Sequence, residues 1–268
     1  MFQALAYGEE EPPEIPEGFV VIKPATFTMG SPADELGRYA DEAQHEVTLI
    51  RAFFLAENEV TQAQWLEAMG SNPSCFTGCD ECPVESINWY EAVNYCNALS
   101  ALEDLEPAYE VDGTNVNWDP SANGYRLPTE AQWEDGCRAG TETAFYNGAI
   151  TENACGIDPS LDEIGWYCGS NGPQGAPGYG TKVGGQKLSN GWGLYDLTGN
   201  VWEWCWDWYG GYPGAVTDRI GPASGTRRVG RGGGWASNAV DCRSVLRYQF
   251  APDYHSQGTS LRPARSAP

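Results

Sequence analysis

The stretch Asn190-Gly-Trp-Gly-Leu-Tyr-Asp-Leu-Thr-Gly-Asn-Val-Trp-Glu-Trp-Cys-Trp-Asp-Trp-Tyr209 constrains the fold more than any other part of the chain. Five of the eleven tryptophans of this 268-residue chain lie in it. Trp202, Trp204, Trp206 and Trp208 alternate at period two, which sends every second side chain to one face of a strand. Glu203, Cys205 and Asp207 fill the gaps, so the pattern predicts a buried tryptophan face backed by surface acids. The turn at Thr198-Gly-Asn200 leaves carbonyls free to point inward. Carbonyls together with one or two carboxylates are the donors that calcium takes.

Asn190-Gly-Trp-Gly-Leu-Tyr-Asp-Leu-Thr-Gly-Asn-Val-Trp-Glu-Trp204 resembles the signature of the formylglycine-generating-enzyme (sulfatase-modifying factor) superfamily. Further matches follow the family's order: Phe27-Thr-Met-Gly-Ser31, Glu59-Val-Thr61, Pro83-Val-Glu-Ser-Ile-Asn-Trp89 and Tyr125-Arg-Leu-Pro-Thr-Glu-Ala-Gln-Trp-Glu134. Arg231-Gly-Gly-Gly-Trp235 with Cys242-Arg-Ser244 completes the set. The resemblance implies an α+β domain of C-type-lectin-like fold over residues 19–268, loop-rich, with short strands and about three helices. It also implies a structural calcium ion held by backbone oxygens of Asp196, Gly199 and Val201 and by the Glu203 carboxylate.

Catalytic members of the family hold copper(I) on two cysteines, because that soft ion requires thiolates. In this chain the two positions fall on Ser237 and Cys242. A serine hydroxyl does not replace a thiolate, so copper is not expected, and Cys242 stays as a weak catalytic candidate for a rearranged site. The related sulfoxide synthases use three histidines on iron. This chain has two, His45 and His255, which excludes that route.

The C-terminal segment has a different character. Arg231-Gly-Gly, Trp235, Cys242-Arg-Ser244, Arg247 and Leu261-Arg-Pro-Ala-Arg265 match the family frame. The intervening positions are chemically miscellaneous: Gly234, Ala236, Ser237, Asn238, Asp241, Val245, Leu246, Tyr248, Gln249, Phe250, Tyr254, His255, Ser256, Gln257, Thr259 and Ser260. This layout resembles the variable proteins of diversity-generating retroelements, in which a C-terminal repeat is randomised on a fixed C-type-lectin-like scaffold. Adaptable side chains in loops on a rigid frame suit ligand binding. The expectation is a non-catalytic binding protein with its ligand surface within 231–265. The alternative is an oxidoreductase or other enzyme using Cys242.

Charge narrows the partners. The formal net charge of −22 argues against nucleic acid and anionic membranes as ligands. No apolar run reaches the roughly 18–20 residues of a membrane span. A protein or other surface ligand is the expected partner. No Lys or Arg lies between Arg51 and Arg126, while eight of the fifteen lie from Arg219 to Arg265, a pattern read as internal ion pairs. Residues 1–18 are acidic and Pro-rich, reading as a disordered arm without the basic and apolar regions of a secretory signal, so compartment is not read from it.

Locally, Phe19–Ile22 and Thr26–Met29 look like a strand pair. Capping boxes at Thr61/Gln64, Asn88/Glu91 and Thr129/Gln132 predict three helices. His45 is read as a loop or hydrogen-bonding residue. Residues 147–186 are read as an ordered, solvated acidic loop containing Asp158, Asp162 and Glu163. Of the nine cysteines, those at 75, 79, 82 and 96 suggest a disulfide within 72–96 ahead of a zinc site.

Overall fold

The computed structural model describes residues 14–268. Much of the arm expected over 1–18 therefore lies outside the described residues. Its end belongs to the domain: the Gly18 carbonyl accepts from the Glu57 N–H at 2.8 Å.

Four strands open the domain: β1 (Phe19–Ile22), β2 (Ala25–Met29), β3 (His45–Leu49) and β4 (Phe53–Ala56). Helices α1 (Gln62–Met69) and α2 (Trp89–Leu102) follow, then β5 (Tyr109–Asp112), β6 (Asn115–Trp118), β7 (Tyr125–Arg126) and α3 (Glu130–Arg138). Short helices α4 (Pro159–Ile164) and α5 (Cys168–Asn171) lead to the tryptophan strand β8 (Trp202–Trp208). Last come β9 (Val216–Thr217), β10 (Arg228–Arg231), β11 (Tyr248–Phe250), β12 (Thr259–Ser260) and β13 (Ala264–Ser266). The architecture is α+β and loop-rich, as expected.

The three capping boxes form as read from sequence. Thr61, Asn88 and Thr129 each accept from the N–H three residues on, and Gln64, Glu91 and Gln132 each reach back. The strand pair does not form. β1 runs antiparallel to β4 and β2 antiparallel to β3, so the two adjacent strands enter different sheets. The sheets are β1-β4-β13-β7, β11-β10-β8-β12, β2-β3-β9 and the hairpin β5-β6. Because β13 pairs with β4, the C-terminal strand closes on the first quarter of the chain.

Loop 147–186 carries two helices that the sequence reading missed. Asp158 caps α4, accepting from the Ser160 and Leu161 N–H groups, and is fully buried rather than solvated. Disulfides join Cys79 to Cys82 and Cys155 to Cys168; the first lies inside the expected region. Cys96 is buried in the α2 core, so the four cysteines do not assemble as zinc ligands. His45 makes a hydrogen bond to the Ala43 carbonyl at 3.1 Å and packs its ring 4.2 Å from Tyr212.

Candidate functional site: a contact face on an arginine frame

On the tryptophan strand the Glu203, Cys205 and Asp207 face is fully buried, whereas on the tryptophan face Trp204 is buried and Trp202, Trp206 and Trp208 are half-buried. Trp204 is 1% exposed, and its indole N–H donates to the Ile87 carbonyl. Glu203 and Asp207, expected as surface acids, are fully buried. They face inward because arginines from the C-terminal quarter meet them. Arg262 donates to Glu203 at 2.8 and 3.0 Å, and Arg219 lies 3.4 Å from Asp207. On the other face, the Arg228 guanidinium stacks between Trp89 and Trp208, 3.6 and 3.5 Å from the ring centres.

One carboxylate gathers most of this frame. Glu130, in the first turn of α3, accepts from Arg247 at 2.5 and 2.8 Å and from Arg219 at 2.8 Å, with Arg231 at 3.7 Å. Arg231 also pairs with Glu134, and Arg243 grips Glu42 and Glu35. Five of the eight arginines near the C-terminus, Arg219, Arg231, Arg243, Arg247 and Arg262, are thus held in internal ion pairs. Burial alone would raise the Glu130 carboxyl, but the charges of Arg247, Arg231 and Arg219 outweigh it and hold it low. Glu134 is held low in the same way, burial being outweighed by Arg231 and Arg138.

Asp135 is the contrary case. Burial, with the Glu134 charge adding to it, pushes its carboxyl up to about 7. Between the ordinary carboxyl range and that value, folded Asp135 keeps a proton that the unfolded chain has released, so stability falls as pH rises through the window. Depressed Glu130 and Glu134 act oppositely: their contribution is present above the ordinary range and lost on acidification below it. Guanidinium midpoints are therefore expected to peak near pH 5, above those at pH 3 and pH 8, and Asp135→Asn to flatten the alkaline limb.

This frame carries the C-terminal segment. Gly232 and Gly233 take positive φ, and a Cβ on Gly233 would lie 2.6 Å from the Cys242 sulfur. Trp235 is anchored by its indole N–H on the Gln257 carbonyl at 2.9 Å, with Phe76 and Tyr179 edge-on to its ring. Between these anchors Ala236, Asn238, Tyr248, Gln249, Tyr254, His255 and Gln257 are exposed, and Ser237, Asp241 and Ser256 half-buried. Tyr248, Phe250 and Tyr254 form a continuous aromatic run with centroids 4.7 and 5.1 Å apart, resting on Trp202. His255 lies 2.9 Å from Glu91 at the start of α2.

Six of the sixteen positions expected at the surface are buried instead. Gly234, Val245 and Phe250 are packed inside, and Leu246 is 3% exposed. Thr259 donates to the Ile87 carbonyl, and Ser260 lies beside Glu203 where β12 pairs with β8. These six follow the frame because the segment returns to the sheet at both ends.

A cavity of about 530 Å³ opens on the face, lined by Asp241, Leu246, Tyr248 and Gln249 together with Tyr39, Asp41, Tyr209 and Arg227. Tyr39 and Asp41 come from the loop between β2 and β3, and Tyr209 donates to Asp41. Nothing local in the sequence marks that loop; only the tertiary fold brings it to the face.

Neither family metal has its full donor set. Ser237 faces inward, its hydroxyl accepting from the Gly234 N–H at 2.9 Å, and Cys242 is fully buried, its thiol pushed well above the ordinary value by burial. The pair does not fit copper(I), and Cys242 is not open to substrate. For calcium, Asp196 keeps one carboxylate oxygen without a partner, but both Glu203 oxygens are occupied by Arg262 and by the Trp133 indole N–H. Glu203 does not fit the calcium role. EGTA is accordingly expected to leave Tm unchanged in a thermal melt.

A family model described as a sulfatase-modifying factor enzyme 1-like domain matches residues 6–267, and the chain belongs to this family. Its relatives carry names of different roles. Chaperone protein LppX of Paenibacillus barcinonensis is 36% identical over 240 residues, 80% of each chain. The formylglycine-generating enzyme of Thermomonospora curvata is 28% identical over 297 residues, 94% of each. Among solved structures, Treponema denticola variable protein 1 matches with a TM-score of 0.80 at 32% identity, covering 92% of this chain and 94% of that one.

Proposed function

We propose that this chain is a binding protein that presents a diversified ligand surface on its C-type-lectin-like scaffold. The observation that carries the reading is the partition of residues 231–262. The frame residues Arg231, Trp235, Cys242, Arg243, Ser244, Arg247 and Arg262 are buried, while of the sixteen chemically miscellaneous positions between them seven are exposed and three half-buried. Exchange at such positions leaves the frame untouched. The exposed Tyr248 and Tyr254 offer rigid, amphipathic contacts of the kind that adaptable paratopes use. The similarity to a variable protein supports the same reading. Among the described residues no helix is long and apolar enough to cross a membrane.

A second reading rests on the relative named a chaperone. A chaperone also works by binding, so the same face would hold a client protein, with fixed rather than varied contacts.

Two libraries test the surface. Substitutions at Ala236, Asn238, Tyr248, Gln249, Tyr254 and Gln257 are expected to cost within about 0.5 kcal/mol each. Large-to-small substitutions at Val245 and Leu246 are expected to cost about 1–4 kcal/mol. Under proteolytic challenge most of the first library should survive and most of the second be lost. Selection of the first against immobilised lysozyme should yield binders. Equal losses in both libraries, or no binder from the first, would contradict the proposal.

A further inference from the structure

A second cavity, of about 320 Å³, lies between α1, α2 and the chain around β1, and shares no residue with the contact face. Glu17, Glu59, Glu67, Glu81 and Glu103 line it, and among the described residues no lysine, arginine or histidine does. Four of these acids sit at an exposed rim, but Glu59 is 3% exposed. Neither of its carboxylate oxygens has a hydrogen-bond partner, and the Asn58 side-chain oxygen beside it is also unpartnered.

An unpaired buried carboxylate is unfavourable, and folds keep such groups paired or protonated. Burial pushes the Glu59 carboxyl well up, the charge of Asp196 adding to it and that of Arg262 opposing. Arg262 is close, yet its hydrogen bonds go to Glu203 and to the Ala56 and Tyr195 carbonyls. The amino end of α1 also opens here, but Thr61 and Gln64 close their capping box on each other and offer no anion site. Phe19, Tyr95, Leu99 and Leu102 give the same cleft an apolar wall.

From the buried unpartnered Glu59 carboxylate, the acidic rim and the apolar wall, we propose that this cleft binds an alkylammonium group on a methylene stem. The ammonium pairs with Glu59, the stem lies along Phe19 and Leu99, and the rim carboxylates attract the cation or hold a second amine. Charge-assisted hydrogen bonds supply the strength, and the apolar wall accommodates the stem, as it would for a lysine side chain.

Titration calorimetry tests this on the full chain with 1,4-diaminobutane, an N-acetyl-lysine amide, 1,4-butanediol and calcium chloride. One ammonium compound should bind with one-to-one stoichiometry and the neutral diol should not. Tighter diamine binding identifies a free amine as the ligand, and tighter binding of the lysine amide a protein side chain. Glu59→Gln should weaken binding about tenfold, the loss of one charge-assisted contact. Should that variant fail to fold, Glu67→Gln with Glu81→Gln removes only exposed rim charges, so affinity should fall a few-fold with Tm unchanged. The proposal is overturned if neither ammonium compound binds, if the diol binds equally, if both variants bind as the parent does, or if calcium alone occupies the cleft.

Discussion

Glu130→Ala is expected to remove about 3–5 kcal/mol of stability, the scale for deleting one partner of a buried ion pair, and to lower Tm by on the order of 10 °C. The reason is geometric. Glu130 is buried and receives Arg219 and Arg247 directly, with Arg231 close by. Its loss leaves Arg231 with Glu134 and Arg219 with Asp207, but removes the only ion-pair partner found for Arg247 among the described residues. Arg247 also borders the 530 Å³ cavity, next in sequence to Tyr248, so the contact face should loosen with it. Urea unfolding should show the loss at both pH 5 and pH 8, because acid does not neutralise arginines. A change below 1 kcal/mol would mean that the frame is not held by this carboxylate.

Arg262→Ala is expected to cost a similar amount, about 3–5 kcal/mol, but with a pH dependence that Glu130→Ala lacks. Arg262 is the cation facing Glu203, and Glu59 and Asp196 also feel its charge. Without it, Glu203 keeps only the Trp133 indole N–H, and three buried carboxylates repel one another. Protonation relieves that repulsion, so the deficit should shrink between pH 8 and pH 5. The same urea titrations read it, and a deficit that does not depend on pH would contradict the assignment.

Sequence and structure agree where the determining contacts are local. Each capping box is set by residues three apart, and all three helices begin where Thr61, Asn88 and Thr129 place them. The period-two tryptophans gave β8 for the same reason. Contacts between remote residues were not legible. β1 and β2 are neighbours in the chain, yet β1 passes over β2 to pair with β4, and β2 pairs with β3. Glu203 and Asp207 read as surface acids because their partners, Arg262 and Arg219, lie well outside any helical or strand period.

Exposure along the proposed contact face was half legible. The fixed motifs bracket the stretch that holds its exposed residues, but a bracket does not say which positions turn inward. Val245 packs against the core and Thr259 bonds to the Ile87 carbonyl, both consequences of the segment rejoining the sheet. Tyr39 and Asp41 border the same cavity from some two hundred residues upstream, with no local signal.

Deep sequencing of the 3′ end of this gene across its source population tests the central claim most directly. A diversified binding surface predicts substitutions gathered at Ala236, Asn238, Asp241, Tyr248, Gln249, Tyr254, His255 and Gln257, with Arg231, Trp235, Cys242, Arg243, Arg247, Arg262 and the buried Val245 and Thr259 unchanged. A segment as constant as the rest of the chain, or variation falling equally on buried and exposed positions, would contradict it.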